Sequence, residues 1–144
     1  MKVNDELKFR GKAAGYWLRL VSKSSDDERW EAVDAIRHIC GPDQSIPVFL
    51  EVLGNDQFWL ARALAAHALF DMAWDEESRV SLRGFAPQIE SLPPDPVADV
   101  RDQLADTLSV LNDPDPWQSV QSQLGRTTTL IDLPQSCGDA ESRS

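Results

Sequence analysis

Cysteine is scarce in this chain. Two occur in 144 residues, Cys40 and Cys137, far apart in sequence. A disulfide framework is therefore not expected, and a reducing compartment is. No apolar run approaches the ~20 residues that span a bilayer, and the opening MKVNDELKFRGK lacks the hydrophobic region of a signal peptide. A cytoplasmic protein without membrane contact is the expectation. Basic side chains are also in deficit, with 14 Lys and Arg against 24 Asp and Glu and a net charge of −10. Phosphate binding needs clustered Lys and Arg, so duplex nucleic acid is not the expected partner. Metal spacings are missing too. There are two histidines and no HExxH or CxxC pattern, so no metal site and no cofactor is expected.

What is present is an uneven charge and a hidden repeat. Residues 1–20 hold five bases (Lys2, Lys8, Arg10, Lys12, Arg19) and two acids (Asp5, Glu6), a sum of +3 that leaves −13 for residues 21–144. An acidic body attracts a basic partner and repels others. The repeat emerges when Arg29, Arg62 and Arg101 are aligned, at spacings of 33 and 39 residues. Nine residues before each stands Leu20, Leu53 or Leu92, and twelve before stands Trp17, Leu50 or Ile89. Offsets of three, six and seven after it give Ala32, Ala35 and Ile36, then Ala65, Ala68 and Leu69, then Leu104, Thr107 and Leu108. These offsets put small and branched residues on one helical stripe, where a neighbouring helix approaches closely. Polar turns (SKSSDDE, GNDQ, PPDP) lie between leucine and arginine. Asp26 or Asp27, Asn55 and Asp95 are the expected helix caps, with Pro96 at a first helical position. Each unit thus reads as helix, turn, helix.

The middle unit, IPVFLEVLGNDQFWLARALAAHAL from Ile46 to Leu69, resembles a HEAT repeat, whose form runs Pro, apolar residues, Leu, an Asp-containing turn, Val-Arg, then Ala and Leu. Pro47 falls in the first helix. Leu60 and Arg62 stand near the Val-Arg position, with Ala61 inserted between them. The last unit keeps Val100 and Arg101 adjacent, with Pro87 in its first helix; the first has Glu28 before Arg29. The resemblance spans about residues 8–112. It implies an all-α fold, an α-α superhelix of about three helical hairpins. It also implies that the frame arginines bond to an acid of the neighbouring repeat or to turn carbonyls. Motifs of this kind define an architecture more than a function.

The expected helices run over 6–23, 27–40, 44–53, 56–73, 84–91 and 96–112, with a break forced at Pro42 and a capping helix from Pro116. The repeat domain is expected over 1–125. Residues 126–144 lack sustained periodicity and read as a disordered tail, with TLIDLP as a short candidate docking segment.

Site candidates follow from spacing. Asp95, Asp99, Asp102 and Asp106 share one helix face, opposite an apolar stripe of Val97, Val100, Leu104, Leu108 and Leu111. Like charges so spaced repel, and a basic partner relieves them. Helical carboxylates without a loop seldom converge enough oxygens for calcium. Asp71, Asp75, Glu76 and Glu77 form a second acidic cluster, read as a helix C-terminus. His67 precedes Asp71 by four residues and His38 follows Asp34 by four, which reads as two structural i,i+4 pairs. Of the five tryptophans, Trp17 and Trp59 read as core and Trp30 as partly exposed. The expected function is a non-enzymatic protein-interaction module. Glu31, Asp34, Trp30, Asp95, Asp99, Asp102 and Asp106 receive a basic segment of another protein, by electrostatic steering and then apolar docking. The alternative is an accessory enzyme resembling the HEAT-like bilin lyases, or a small-molecule binder, which requires a pigment-sized pocket. A resemblance to HEAT-like DNA glycosylases requires a basic groove, which the charge disfavours. A third reading is an acidic decoy for a nucleic-acid-binding protein.

Overall fold

A computed structural model describes residues 7–21 and 25–132, with side chains through 124. The chain divides into two compact units, Met1–Asn112 and Asp113–Ser144.

The first unit opens with a small hairpin where a helix is expected. Strands β1 (Lys8–Phe9) and β2 (Lys12–Ala13) pair antiparallel, Phe9 opposite Lys12. The two-residue loop takes positive φ at both positions, 53° at Arg10 and 79° at Gly11. Such a turn matches the right-handed twist of the strands it joins, and glycine supplies one of the two positions without strain. Helix α1 (Ala14–Leu20) follows directly. Its buried Trp17 donates from Nε1 to the carbonyls of Phe9 and Lys12, each at 3.2 Å, which fixes the hairpin on the helix.

Helix α2 (Asp26–Ile39) is capped by Ser25, not by Asp26 or Asp27. Ser25 Oγ accepts from the Glu28 amide, and the Glu28 carboxylate accepts from the Ser25 amide, a reciprocal cap that satisfies two orphan donors. Helix α3 (Pro42–Asn55) carries Pro42 in its first turn, so this proline begins a helix as well as ending the preceding one. Helix α4 (Trp59–Trp74) is followed at once by α5 (Glu76–Arg83), which the sequence pattern did not reveal. Helices α6 (Ala86–Glu90) and α7 (Ala98–Asn112) complete the unit. In the second unit α8 (Pro116–Asp132) runs past residue 125, so the expected boundary there is not a helix end. Cys137 and the end of TLIDLP lie outside the described residues.

Helix α4 is the centre of the first unit. It packs against α2, α3, α5 and α7, which leaves one narrow exposed stripe through Leu60, His67 and Asp71. A helix contacted on several sides must be apolar over most of its circumference, and WLARALAAHALFDMAW is such a sequence, with His67 and Asp71 on its exposed stripe. Ala61, Ala65, Ala66, Ala68 and Ala73 are buried, and their small side chains let four neighbours approach one axis. The aligned frame is realised in this packing. Ala32, Ala35, Ile36, Ala65, Ala68, Leu69 and Thr107 are buried, with Leu104 and Leu108 half-buried. Thr107 satisfies its hydroxyl by donating to the Gln103 carbonyl at 2.8 Å.

The helices that carry Arg29, Arg62 and Arg101 are α2, α4 and α7, and α4 touches both others.

Candidate interaction surface

The frame arginines tie this row together. Arg29 Nε and Nη2 reach the two carboxylate oxygens of Asp56 at 2.9 and 3.0 Å. Arg62 repeats the geometry 33 residues on, meeting Asp95 at 2.8 and 3.2 Å. The remaining nitrogen of Arg62, Nη1, donates to the carbonyl of Asp56 at 2.9 Å, and Arg101 Nη1 donates in the same way to Asp95 O at 2.7 Å. Each aspartate also accepts from a backbone amide two residues on, Phe58 or Val97, both at 2.9 Å. One turn thus serves three purposes: it starts a helix, receives the preceding arginine by its carboxylate and holds its own arginine by its carbonyl. Two-point guanidinium–carboxylate bonds are the strong, directional kind.

The electrostatics follow. Burial pushes the Asp56 carboxyl up, but the Arg29 fork, the Phe58 amide and the charges of Arg29 and Arg62 outweigh it and hold the group below the usual carboxylate range. Burial likewise opposes ionisation of Asp95, and Arg62, the Val97 amide and Arg101 hold it low. The Arg29 guanidinium is raised, chiefly by its bond to Asp56.

These contacts correct the expected site. Asp95 is buried and bonded, so it is a structural residue and not part of an accessible stripe. It lies before α7, in the turn. Asp56, not Asn55, caps the turn before α4; the Asn55 amide instead donates to Glu51 at the end of α3. Glu31 is held by Arg10 of the hairpin tip. Asp34 is half-buried, with its carboxylate 3.6 Å from His38 Nδ1. His38 stacks on Phe9 at 5.1 Å. His67 stands 3.8 Å from Asp71, which also accepts from Arg37 across α2 and α4 at 2.7 Å. Trp59 is not core but exposed, while Trp17 is buried and Trp30 partly exposed, as expected. The cluster at Asp75 is a helix start. Asp75 accepts from the Ser78 amide at 3.0 Å, and Glu76 and Glu77 lie in the favourable first turn of α5. Buried Arg79, which the sequence did not single out, donates to the Ala73 carbonyl at 2.9 Å and closes the end of α4.

What remains accessible is a coherent face. A shallow groove of about 310 Å³ is lined by Trp30 of α2, by Leu60, Ala63, Leu64 and His67 of α4, and by Asp99 and Gln103 of α7. The pairs 60/64, 63/67 and 99/103 are each four apart, so each helix presents one stripe to it. Trp30 and Leu60 keep 37% and 39% of their surface exposed. Asp99, Asp102 and Asp106 are exposed along α7, and among the described residues none of the three forms an ion pair. Their spacing continues the groove's acidic edge along the helix.

A second groove, of about 680 Å³, lies between the start of α2 and the outer side of α3, with Val21, Pro47, Val48 and Val52 on its apolar walls. Its charged side chains are already matched, Arg29 to Asp26 and Asp56, and Asn55 to Glu51.

Among the described residues there is no group of three or more His, Cys, Asp or Glu placed to hold a metal ion, and no helix is long and apolar enough to cross a membrane. Compared with protein-family models, with curated proteins and with solved structures, the chain matches none.

Proposed function

We propose that the chain is a short HEAT-like α-solenoid acting as a non-enzymatic protein-interaction module, with the face of its second helices as the binding surface. The observation that carries this reading is the groove fed by all three second helices, apolar at Trp30, Leu60 and Leu64 and edged by unpaired carboxylates of α7. Exposed tryptophan beside apolar side chains is the composition of a binding hot spot, and a one-sign edge steers an oppositely charged partner. The partner chemistry is a basic segment carrying large apolar side chains, bound without nucleic acid or membrane. The arginine–aspartate rungs support the solenoid reading, because they recur in step with the aligned units.

The test is binding of a fluorescently labelled amphipathic Lys–Leu peptide, followed by anisotropy. The wild type binds with an affinity that falls as salt rises; D99N/D102N/D106N weakens binding about tenfold or more and flattens the salt dependence, by screening of exposed charge. Unchanged affinity and unchanged salt dependence in that variant overturn the reading.

The larger groove between α2 and α3 favours a second reading, a small-molecule binder. Its volume falls in the range of ligand pockets, roughly 300–1,000 Å³. The check is absorbance of the protein purified from its native cells: a co-purifying chromophore supports this reading, and a spectrum of protein alone removes its pigment form.

A further inference from the structure

We infer that the basic, apolar-bearing segment this groove receives is the N-terminal hairpin end of a second copy of the chain. The inference rests on the interaction-module reading and names the partner for the same face.

The chain carries two exposed apolar patches of opposite charge. One is the groove, with Trp30 and Leu60 exposed and Asp99, Asp102 and Asp106 along its edge. The other lies at the hairpin. Leu7 and Tyr16 keep 45% and 38% of their surface exposed. They sit among Lys8 and Lys12, both exposed, and the Lys12 ammonium lies 5.1 Å from the centre of the Tyr16 ring. A cation held over an exposed ring presents charge and apolar surface together. Among the described residues neither lysine forms an ion pair. This is the chemistry the groove selects: bases for its carboxylates, and an aromatic and a leucine for its apolar floor.

The hairpin does not serve its own groove. Trp17 pins it to α1 through two carbonyls, and Arg10 at its tip is bound to Glu31. The two patches therefore meet between copies, head to tail. A contact of this kind joins unlike surfaces, and it extends into chains or rings instead of stopping at a symmetric pair. Each copy carries −10 overall, so long-range repulsion opposes the local attraction. The association is accordingly weak.

The experiment is sedimentation of the full chain near 0.15 M salt, where the screening length is about 8 Å. Two variants are used, K8A/K12A and D99N/D102N/D106N, each checked for native helicity by circular dichroism. The wild type gains mass as its concentration rises toward about 1 mM, the weak end of specific affinities. Each variant alone remains monomeric. Their equimolar mixture forms a 1:1 complex and nothing larger, because it contains one working hairpin and one working groove. A wild type that stays monomeric, or a mixture that does, overturns the inference. So does a variant that self-associates as the wild type does. The Lys–Leu peptide separates the two levels. Peptide binding without self-association removes the second copy as partner and keeps the module, whereas failure of both removes both.

Discussion

Arg62 and Asp95, 33 residues apart in sequence, face each other through a two-point bond at 2.8 and 3.2 Å, and both side chains are nearly buried. Removing one partner strands the other's charge, which for buried pairs costs about 3–5 kcal/mol. Asp95→Ala also deletes the acceptor for the Val97 amide. It is expected to lower stability by about 3 kcal/mol or more, measured by urea unfolding. Arg101 is exposed, and its contact in this pattern is to a carbonyl alone. Arg101→Ala is therefore expected to cost about 1 kcal/mol. Equal losses in the two variants contradict the rung as described.

The same carboxylates set the acid limit of the fold. Asp56 and Asp95 both titrate below their ordinary value in the folded state. A group depressed on folding contributes stability that is fully present above its unfolded pKa, about 3.9, and that is lost as pH falls through the folded value. Their contribution is thus constant from pH 7 to about 5 and declines below about 4. Urea midpoints measured down that range are expected to fall steeply in the wild type. In D56N/D95N, already less stable near neutrality, the slope is expected to be shallower. A steeper slope in the double variant contradicts the assignment.

Helix α4 makes a packing prediction. Ala65 and Ala66 are fully buried at the centre of the unit. Enlarging a side chain in a filled core costs about 1–3 kcal/mol. Ala65→Leu is expected to fall in that range by chemical denaturation, with helicity retained. Leu60→Ala, at an exposed groove position, is expected to change stability by less than about 1 kcal/mol while weakening peptide binding.

The helical character of the chain and its contact positions were legible in the sequence because their physical causes are local and periodic. The alanines three and six after Arg29 and Arg62 mark where helices touch, and the structure buries all four. The bonding role of the aligned arginines was legible too, but their partner residues were not. Asn55 and Asp56 are adjacent acceptors in one turn, and the backbone that brings Asp56 toward Arg29 is a tertiary result. Asp95 read as a surface acid because it sits in phase with Asp99, Asp102 and Asp106, yet it precedes the helix that would set that phase. The hairpin was obscured by its length, two residues a strand, and by a loop arginine at positive φ. Helix α5 was obscured because acids at its start stood close enough to α4 to read as that helix's end. Trp59 read as core from its place in an apolar run, but it lies on the exposed side of the first turn of α4, whose Ala61 is fully buried.

The most direct test of the interaction face is a map of backbone amide shifts in the labelled protein on titration with the Lys–Leu peptide. The expected result is perturbation gathered at Trp30, Leu60, Leu64, His67, Asp99 and Gln103, three helices responding together at one affinity, since those residues line one groove. Shifts confined to the Pro47 and Val48 side of α3, or no saturable shifts at all, contradict it.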